Sequence, residues 1–220
     1  ELRRLCIGRC RPSGVGRMLR KRLPTGTAFI NVDQNSMSFR TIAAVKSVSN
    51  GRFVPFLHDT IPLDFPEYQT PESVVRFGQM LKRIQKNADL ILCNSQATKD
   101  DIVRHLAPTG AVPPIHVAHL GVEPNCFPVG DKSEPLDLPD PYFVILGTIE
   151  PRKNHTLILD IWEELEAELP KQKMPHLVIC GRRGWMNEDI FRRLDDARLQ
   201  RNYLLEFNDL KDNQIQSVLL

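Results

Sequence analysis

Five consecutive apolar residues, Tyr142-Phe143-Val144-Ile145-Leu146, stop at Gly147, and beyond a short loop Leu157, Ile158, Ile161, Trp162 and Leu165 recur at helical spacing. No other stretch of the 220 residues restricts the fold as tightly. The uninterrupted run predicts a strand buried on both faces, as in parallel sheets covered by helices, and the spacing after it predicts a helix. Between them stand Arg152 and Lys153. These adjacent cations are delivered to a helix start, whose first N–H groups lack backbone partners and attract anions. Strand, loop and helix together predict a diphosphate site at Arg152 and Lys153, with solvated loop charges as the alternative.

The same alternation runs through the first half. Strands are predicted over Thr27–Val32, Phe53–Leu57 and Leu90–Cys93, with a helix over 39–48. Thr70 followed by Pro71 starts another helix, on which Val74, Phe77, Leu81 and Ile84 mark one face. Ser95 is placed to cap a helix over 96–106. His58 falls at the carboxyl end of a strand, where open α/β sheets gather their chemistry, and an imidazole titrates near neutrality. A hydrogen-bonding loop residue is the plainer reading of it. His116 and His119 sit three apart in the predicted strand Ile115–Leu120, so they face opposite sides and form no shared metal site. Residues 1–27, including Ser13-Gly14-Val15-Gly16-Arg17, predict a surface loop rather than a phosphate-binding turn, because no clear strand precedes the glycines.

From Pro124 to Pro141 apolar periodicity disappears in favour of Pro, Asp, Gly, Lys and Ser. This divides the chain into an N-terminal domain over 1–127, a linker over 128–140 and a C-terminal domain over 141–220. After the linker come the strand Leu177–Cys180, the loop Gly181-Arg182-Arg183-Gly184-Trp185, a helix around Ile190, Phe191 and Leu194, the strand Tyr203–Phe207 and a helix from Asp212. In the loop, Arg182 and Arg183 either reach a phosphate or face water.

Composition removes several functions. A net charge of +2 is too balanced for a nucleic-acid footprint, while leaving room for a weakly basic patch against anionic lipid. Five cysteines make neither an even disulfide framework nor paired Cys-x-x-Cys zinc ligands, and Cys93 and Cys180 lie in apolar runs as small hydrophobes; reduced thiols are expected. No apolar run approaches the roughly 18 residues of a membrane span, and no apolar core of a signal peptide follows Glu1. The expected location is cytoplasmic, with at most peripheral contact at the inner face of the membrane.

Four motifs carry a resemblance. His58-Asp59-x-Ile61-Pro62 with Pro66-Glu67-Tyr68, Asn94-Ser95 with Thr98 and Asp101, Gly147 leading to Glu150-Pro151-Arg152-Lys153-Asn154, and Gly181-x-x-Gly184-Trp185 appear in this order. The stretch from about Ala28 onward resembles the retaining glycosyltransferases of family 4, which have the GT-B fold, and mannosyltransferases among them. The resemblance implies an α/β protein of two Rossmann-like domains, here truncated at both ends. It implies transfer of a hexose, mannose first, from a nucleotide diphosphate sugar to a glycan or lipid-linked acceptor in polysaccharide or cell-envelope synthesis. Arg152 and Lys153 would hold the diphosphate, Gly147 and Gly181 would adjoin the substrate, and His58 would face the transferred sugar from across an interdomain cleft, with Asp59 as its structural neighbour. No metal and no other cofactor is expected, because two fixed cations can balance the leaving diphosphate and the chain has no Asp-x-Asp cluster.

The chain departs from the family at Asp33-Gln34, where relatives often have Gly-His, and the family's paired glutamates would fall after Leu220. Those departures keep a second expectation open, a catalytically inactive nucleotide-binding or structural α/β module. An NAD-dependent dehydrogenase is disfavoured, since no Gly-x-Gly-x-x-Gly joins a strand to a helix.

Overall fold

The computed structural model describes residues 8, 10–33, 37–121, 136–196 and 203–219. The chain divides into two compact units, Glu1–Val122 and Glu123–Leu220. The linker expected over 128–140 lies outside the described residues as far as 135. Just beyond, Leu136 and Leu138 pack against Val178, Cys180 and Val218 of the second unit.

The first unit alternates helix and strand: α1 (Val15–Arg22), β1 (Ala28–Asn31), α2 (Phe39–Lys46), β2 (Arg52–Leu57), α3 (Ile61–Asp64), α4 (Pro71–Asn87), β3 (Ile91–Cys93), α5 (Gln96–Leu106) and β4 (Ile115–Val117). Its strands are parallel in the order β1-β2-β3-β4. Parallel neighbours cannot be joined by a hairpin, so helices supply the crossovers. Five of the six β2 residues are buried, and Phe53 and Leu57 meet Ile84 of α4, Ile91 of β3 and Ile102 of α5 in one core. Capping fixes where the helices begin. The Thr70 hydroxyl accepts from Ser73 N and the Ser95 hydroxyl from Thr98 N, each satisfying a donor that the first helical turn leaves open.

Residues 12–22 are not the loop that their glycines suggest. Pro12–Gly14 forms a 3-10 turn that runs into α1. At Gly16 the helix lies against α2, where an added Cβ would be in ordinary contact, 3.4 Å from Ser47 Oγ and 3.7 Å from Ala44 Cα. Leu19 reaches the core from the same side.

The second unit contains β5 (Tyr142–Leu146), α6 (His155–Glu168), β6 (His176–Cys180), α7 (Glu188–Asp195), β7 (Leu204–Phe207) and α8 (Asp212–Leu219). Its parallel order is β5-β6-β7. Here the apolar run that anchors the sequence reading behaves differently from expectation. β5 is not buried on both faces, for Phe143 is 60% and Leu146 48% exposed. The reason is its place at the sheet edge among the described residues, while the central β6 is buried from Leu177 to Cys180. Helix α6 also turns a narrower face inward than its apolar stripe suggests. Leu159 and Trp162 are buried, whereas Leu157 and Ile161 face out. Trp162 donates its indole N–H to Pro175 O and takes Phe143 edge-on, so its large ring sets the inward phase.

Cys10, Cys93 and Cys180 are free thiols, and burial pushes the last two above the ordinary thiol range. No helix among the described residues is long and apolar enough to cross a membrane.

Candidate functional site

In the first unit the expected site residue His58 sits directly after β2, half-buried. Its Nε2 lies 2.8 Å from Val32 O, and only a protonated nitrogen can donate to a carbonyl. The neutral ring therefore carries its hydrogen on Nε2 and keeps Nδ1 as an acceptor. The ring of Phe56 flanks it, with centroids 4.8 Å apart. Behind the ring, the Thr98 hydroxyl is shared between His58 O at 3.2 Å and Asn94 Oδ1 at 2.9 Å. Asp59 bends the chain by accepting from Ile61 N at 3.1 Å, the turn-forming use of a short carboxylate.

A further cluster was invisible in the sequence. Asp64, at the end of α3, accepts from Thr60 Oγ1 at 2.5 Å, Arg104 Nη2 at 2.8 Å and His105 Nε2 at 2.6 Å. Burial works against the ionised carboxylate, but these donors outweigh it and hold Asp64 below the usual carboxylate range. Arg104 also pairs with Asp101, so the motif after β2 and the motif after β3 are knitted into one network. The only hint in sequence was that both motifs occur. Forty residues separate the partners, and no local spacing encodes such a contact.

In the second unit the loop after β5 is fixed mainly through the main chain. Gly147, at φ 134°, occupies a region that side chains rarely enter. A Cβ on Gly181 would stand 1.9 Å from Gly147 O, and one on Gly184 would stand 2.9 Å from Thr148 Cγ2. Hydrogen bonds from Gly147 N to Cys180 O, Ile149 N to Arg182 O and Gly184 N to Ile149 O continue the ladder past the strand ends. The loops after β5 and β6 thereby lie back to back. Gly147 and Gly181 both line a cavity of about 310 Å³ at the carboxyl ends of β5, β6 and β7, together with Arg182, Phe207 and Asp209.

The two expected cations part company. Arg152 is held at 2.6 Å by Glu150, whose carboxylate is only 3% exposed. Lys153 instead folds back over the end of β5, where a Cβ on Gly147 would meet its Cε at 3.8 Å and its Nζ at 3.9 Å. Both sit in the 3-10 turn Pro151–Lys153, and Asn154, at φ 51°, then caps α6 by accepting from Leu157 N. His155, the first residue of α6, is buried with neither ring nitrogen hydrogen-bonded among the described residues. Burial, with the charge of Lys153 added, keeps its pKa below the ordinary imidazole value, so it is a neutral packing residue near pH 7.

Arg183, with its side chain 30% exposed, is engaged by carboxylates. It bonds Asp195 and Glu206 and lies over the ring of Phe191, pinning α7 to β7. Arg182 is exposed, pairs with Asp209, and remains at the cavity rim. No group of three or more His, Cys, Asp or Glu side chains among the described residues is arranged to hold a metal ion.

Two parallel-sheet units, each with its expected site loop at the carboxyl end of a strand, give an α/β fold of the GT-B type. Solved structures agree with that architecture. The GtfA/B complex superposes with a TM-score of 0.50 at 15% identity, over 89% of this chain and 38% of that one. The alpha,alpha-trehalose 6-phosphate synthase of Burkholderia multivorans superposes with a TM-score of 0.51 at 12% identity, over 93% and 52%. At such identities the likeness is one of fold. No family model matches the chain. Among curated proteins, the serotype-specific mannosyltransferase WbdA of Escherichia coli is 29% identical over 164 residues, covering 66% of this chain and 19% of WbdA. The chain thus spans about a fifth of the length of the curated relatives it matches.

Proposed function

We propose that the chain is part of a retaining glycosyltransferase of the family 4 kind. It moves a hexose, mannose first, from a nucleotide diphosphate sugar to a glycan or lipid-linked acceptor at the inner face of the membrane. The observation that carries the reading is the nearness of the Lys153 ammonium to Gly147, where an added Cβ would stand 3.9 Å from Nζ, Gly147 being one of the residues that line the cavity after β5, β6 and β7. Similarity to a mannosyltransferase supports the choice of sugar.

When the bond from sugar to diphosphate breaks, negative charge grows on the leaving group. A cation already aimed at that position stabilises it without reorganising at the moment of reaction. Lys153 is the direct partner of the diphosphate in this reading. Arg152, tied to Glu150, adds positive charge and holds the turn. Gly147 and Gly181 let the donor approach the main chain closely. His58, with its free Nδ1, orients the transferred sugar.

Calorimetric titration of the chain with GDP-mannose and with UDP-hexoses, followed by a product assay, tests this. Lys153→Ala is expected to weaken donor binding by about 10- to 100-fold, in the range of a charge-assisted contact, and Arg152→Ala by less. A Lys153→Ala variant that binds donor as the unmodified chain does would refute the assignment. Binding without turnover would favour the inactive nucleotide-binding module.

A further inference from the structure

Two histidines repeat one arrangement along the carboxyl edge of the first unit's sheet. His58, directly after β2, bonds through Nε2 to the carbonyl of Val32, directly after β1. His119, two residues beyond β4, bonds through Nδ1 at 3.0 Å to the carbonyl of Asn94, directly after β3. Because a carbonyl only accepts, the bonded nitrogen holds the hydrogen in each neutral ring. The opposite nitrogens, Nδ1 of His58 and Nε2 of His119, are left as acceptors without a partner among the described residues. Strand alternation set His119 apart from His116, but β4 ends at Val117, so alternation no longer governs where His119 points. The Thr98 hydroxyl lies between His58 O and Asn94 Oδ1, so hydrogen bonds join the loops after β2, β3 and β4 into one edge. His119 is exposed and His58 half-buried. Neighbouring strands lie about 5 Å apart, which puts the ends of β2 and β4 roughly 10 Å apart.

We infer that this edge is a subsite for the acceptor, and that the acceptor is a glycan of at least two sugar units, with His58 and His119 each taking a hydrogen bond from one of its hydroxyls. The ligand class rests on the transferase reading, and the role of His119 goes beyond it. The chemistry of the edge supports that class. Open α/β sheets bind their ligands outside the carboxyl ends of the strands. His58, Asn94 and His119 bring neutral polar groups and no Lys or Arg, so they offer an anion no counter-charge. A polyol supplies the donors that both ring nitrogens lack. The span between the two strand ends exceeds one pyranose ring, so a monosaccharide serves one histidine and a longer glycan serves both.

Imidazole proton–nitrogen correlation spectra, recorded while the chain is titrated with α-linked mannotriose or with methyl α-mannoside, test this. Expected are shifts of both His58 Nδ1 and His119 Nε2 with mannotriose, and binding at least about 3-fold tighter than that of methyl α-mannoside. His119→Ala is expected to weaken mannotriose binding by about 3- to 10-fold, the scale of one hydrogen bond between neutral groups. His119→Gln, whose amide can donate to Asn94 O and still present an oxygen, is expected to restore most of that loss. The inference is overturned if mannotriose leaves either ring nitrogen unshifted, binds no more tightly than methyl α-mannoside, or binds the His119→Ala chain as it binds the unmodified one. Mannotriose binding that persists where GDP-mannose fails to bind refutes the donor assignment of Lys153 and leaves this edge standing. Donor binding without mannotriose binding refutes the edge alone.

Discussion

The loop after β2 and the loop after β5 both leave the carboxyl end of a parallel strand, yet different forces hold them. In the first unit side chains do it. Thr98 reaches the carbonyl of His58, Asp59 ties its own turn, and Asp64 gathers Thr60, Arg104 and His105. In the second unit the main chain does it, through the ladder from Gly147 to Gly184 and the contact of Gly181 with Gly147. A side-chain network loosens by degrees when one partner is removed. A backbone contact with no room for a methyl group fails all at once.

That contrast predicts where substitutions hurt. Gly181→Ala brings a Cβ within 1.9 Å of Gly147 O, and relieving the overlap means separating the two loops. The expected loss is about 3 kcal/mol, at the upper end of overpacking costs. Both tryptophans, Trp162 and Trp185, belong to the second unit, so their fluorescence during urea unfolding reports on it alone. An unchanged midpoint would break the comparison.

Asp64→Asn is expected to cost about 2 kcal/mol, the scale of hydrogen bonds to a charged group, and to leave tryptophan fluorescence alone while shifting the unfolding followed by far-ultraviolet circular dichroism. The pH dependence has a definite sign. A carboxyl held below its ordinary value of 3.8 stabilises the fold above that pH and loses its contribution as pH falls. The unmodified first unit should therefore weaken from about pH 5 downward, and the Asn variant should show a flatter profile.

Smallest, and opposite in sign, is Gly78→Ala. This glycine lies inside α4, where an added Cβ meets only Leu63 Cδ2 at an ordinary 3.8 Å. A gain of up to about 1 kcal/mol is expected from helix propensity, measured in the same unfolding experiment. A loss would show that this glycine is fixed by packing after all.

Much of this architecture was legible before any coordinates. Apart from the short α3, strands and helices from α2 onward follow apolar periodicity and capping residues, and Thr70 and Ser95 sit at the helix starts their side chains suggested. What escaped had physical reasons. α1 has only Val15, Met18 and Leu19 as its apolar residues, and its glycines read as loop, although Gly16 lies inside the helix against α2. An apolar run such as Tyr142–Leu146 specifies a strand but not whether its neighbours cover both faces. The adjacency of Arg152 and Lys153 suggested two equivalent cations; burial of Glu150 makes them unlike, and burial is a tertiary property. The sequence leaves Arg183 to reach a phosphate or face water, because Asp195 and Glu206 come beside it only in the folded unit.

The touching peptide planes of Gly147 and Gly181 also bear on engineering. Residues 147–154 and 181–184 form one mechanical piece, since moving either strand tip alone opens a gap or forces a collision. Anyone exchanging these tips with those of a relative would have to transplant them together, as a single cassette.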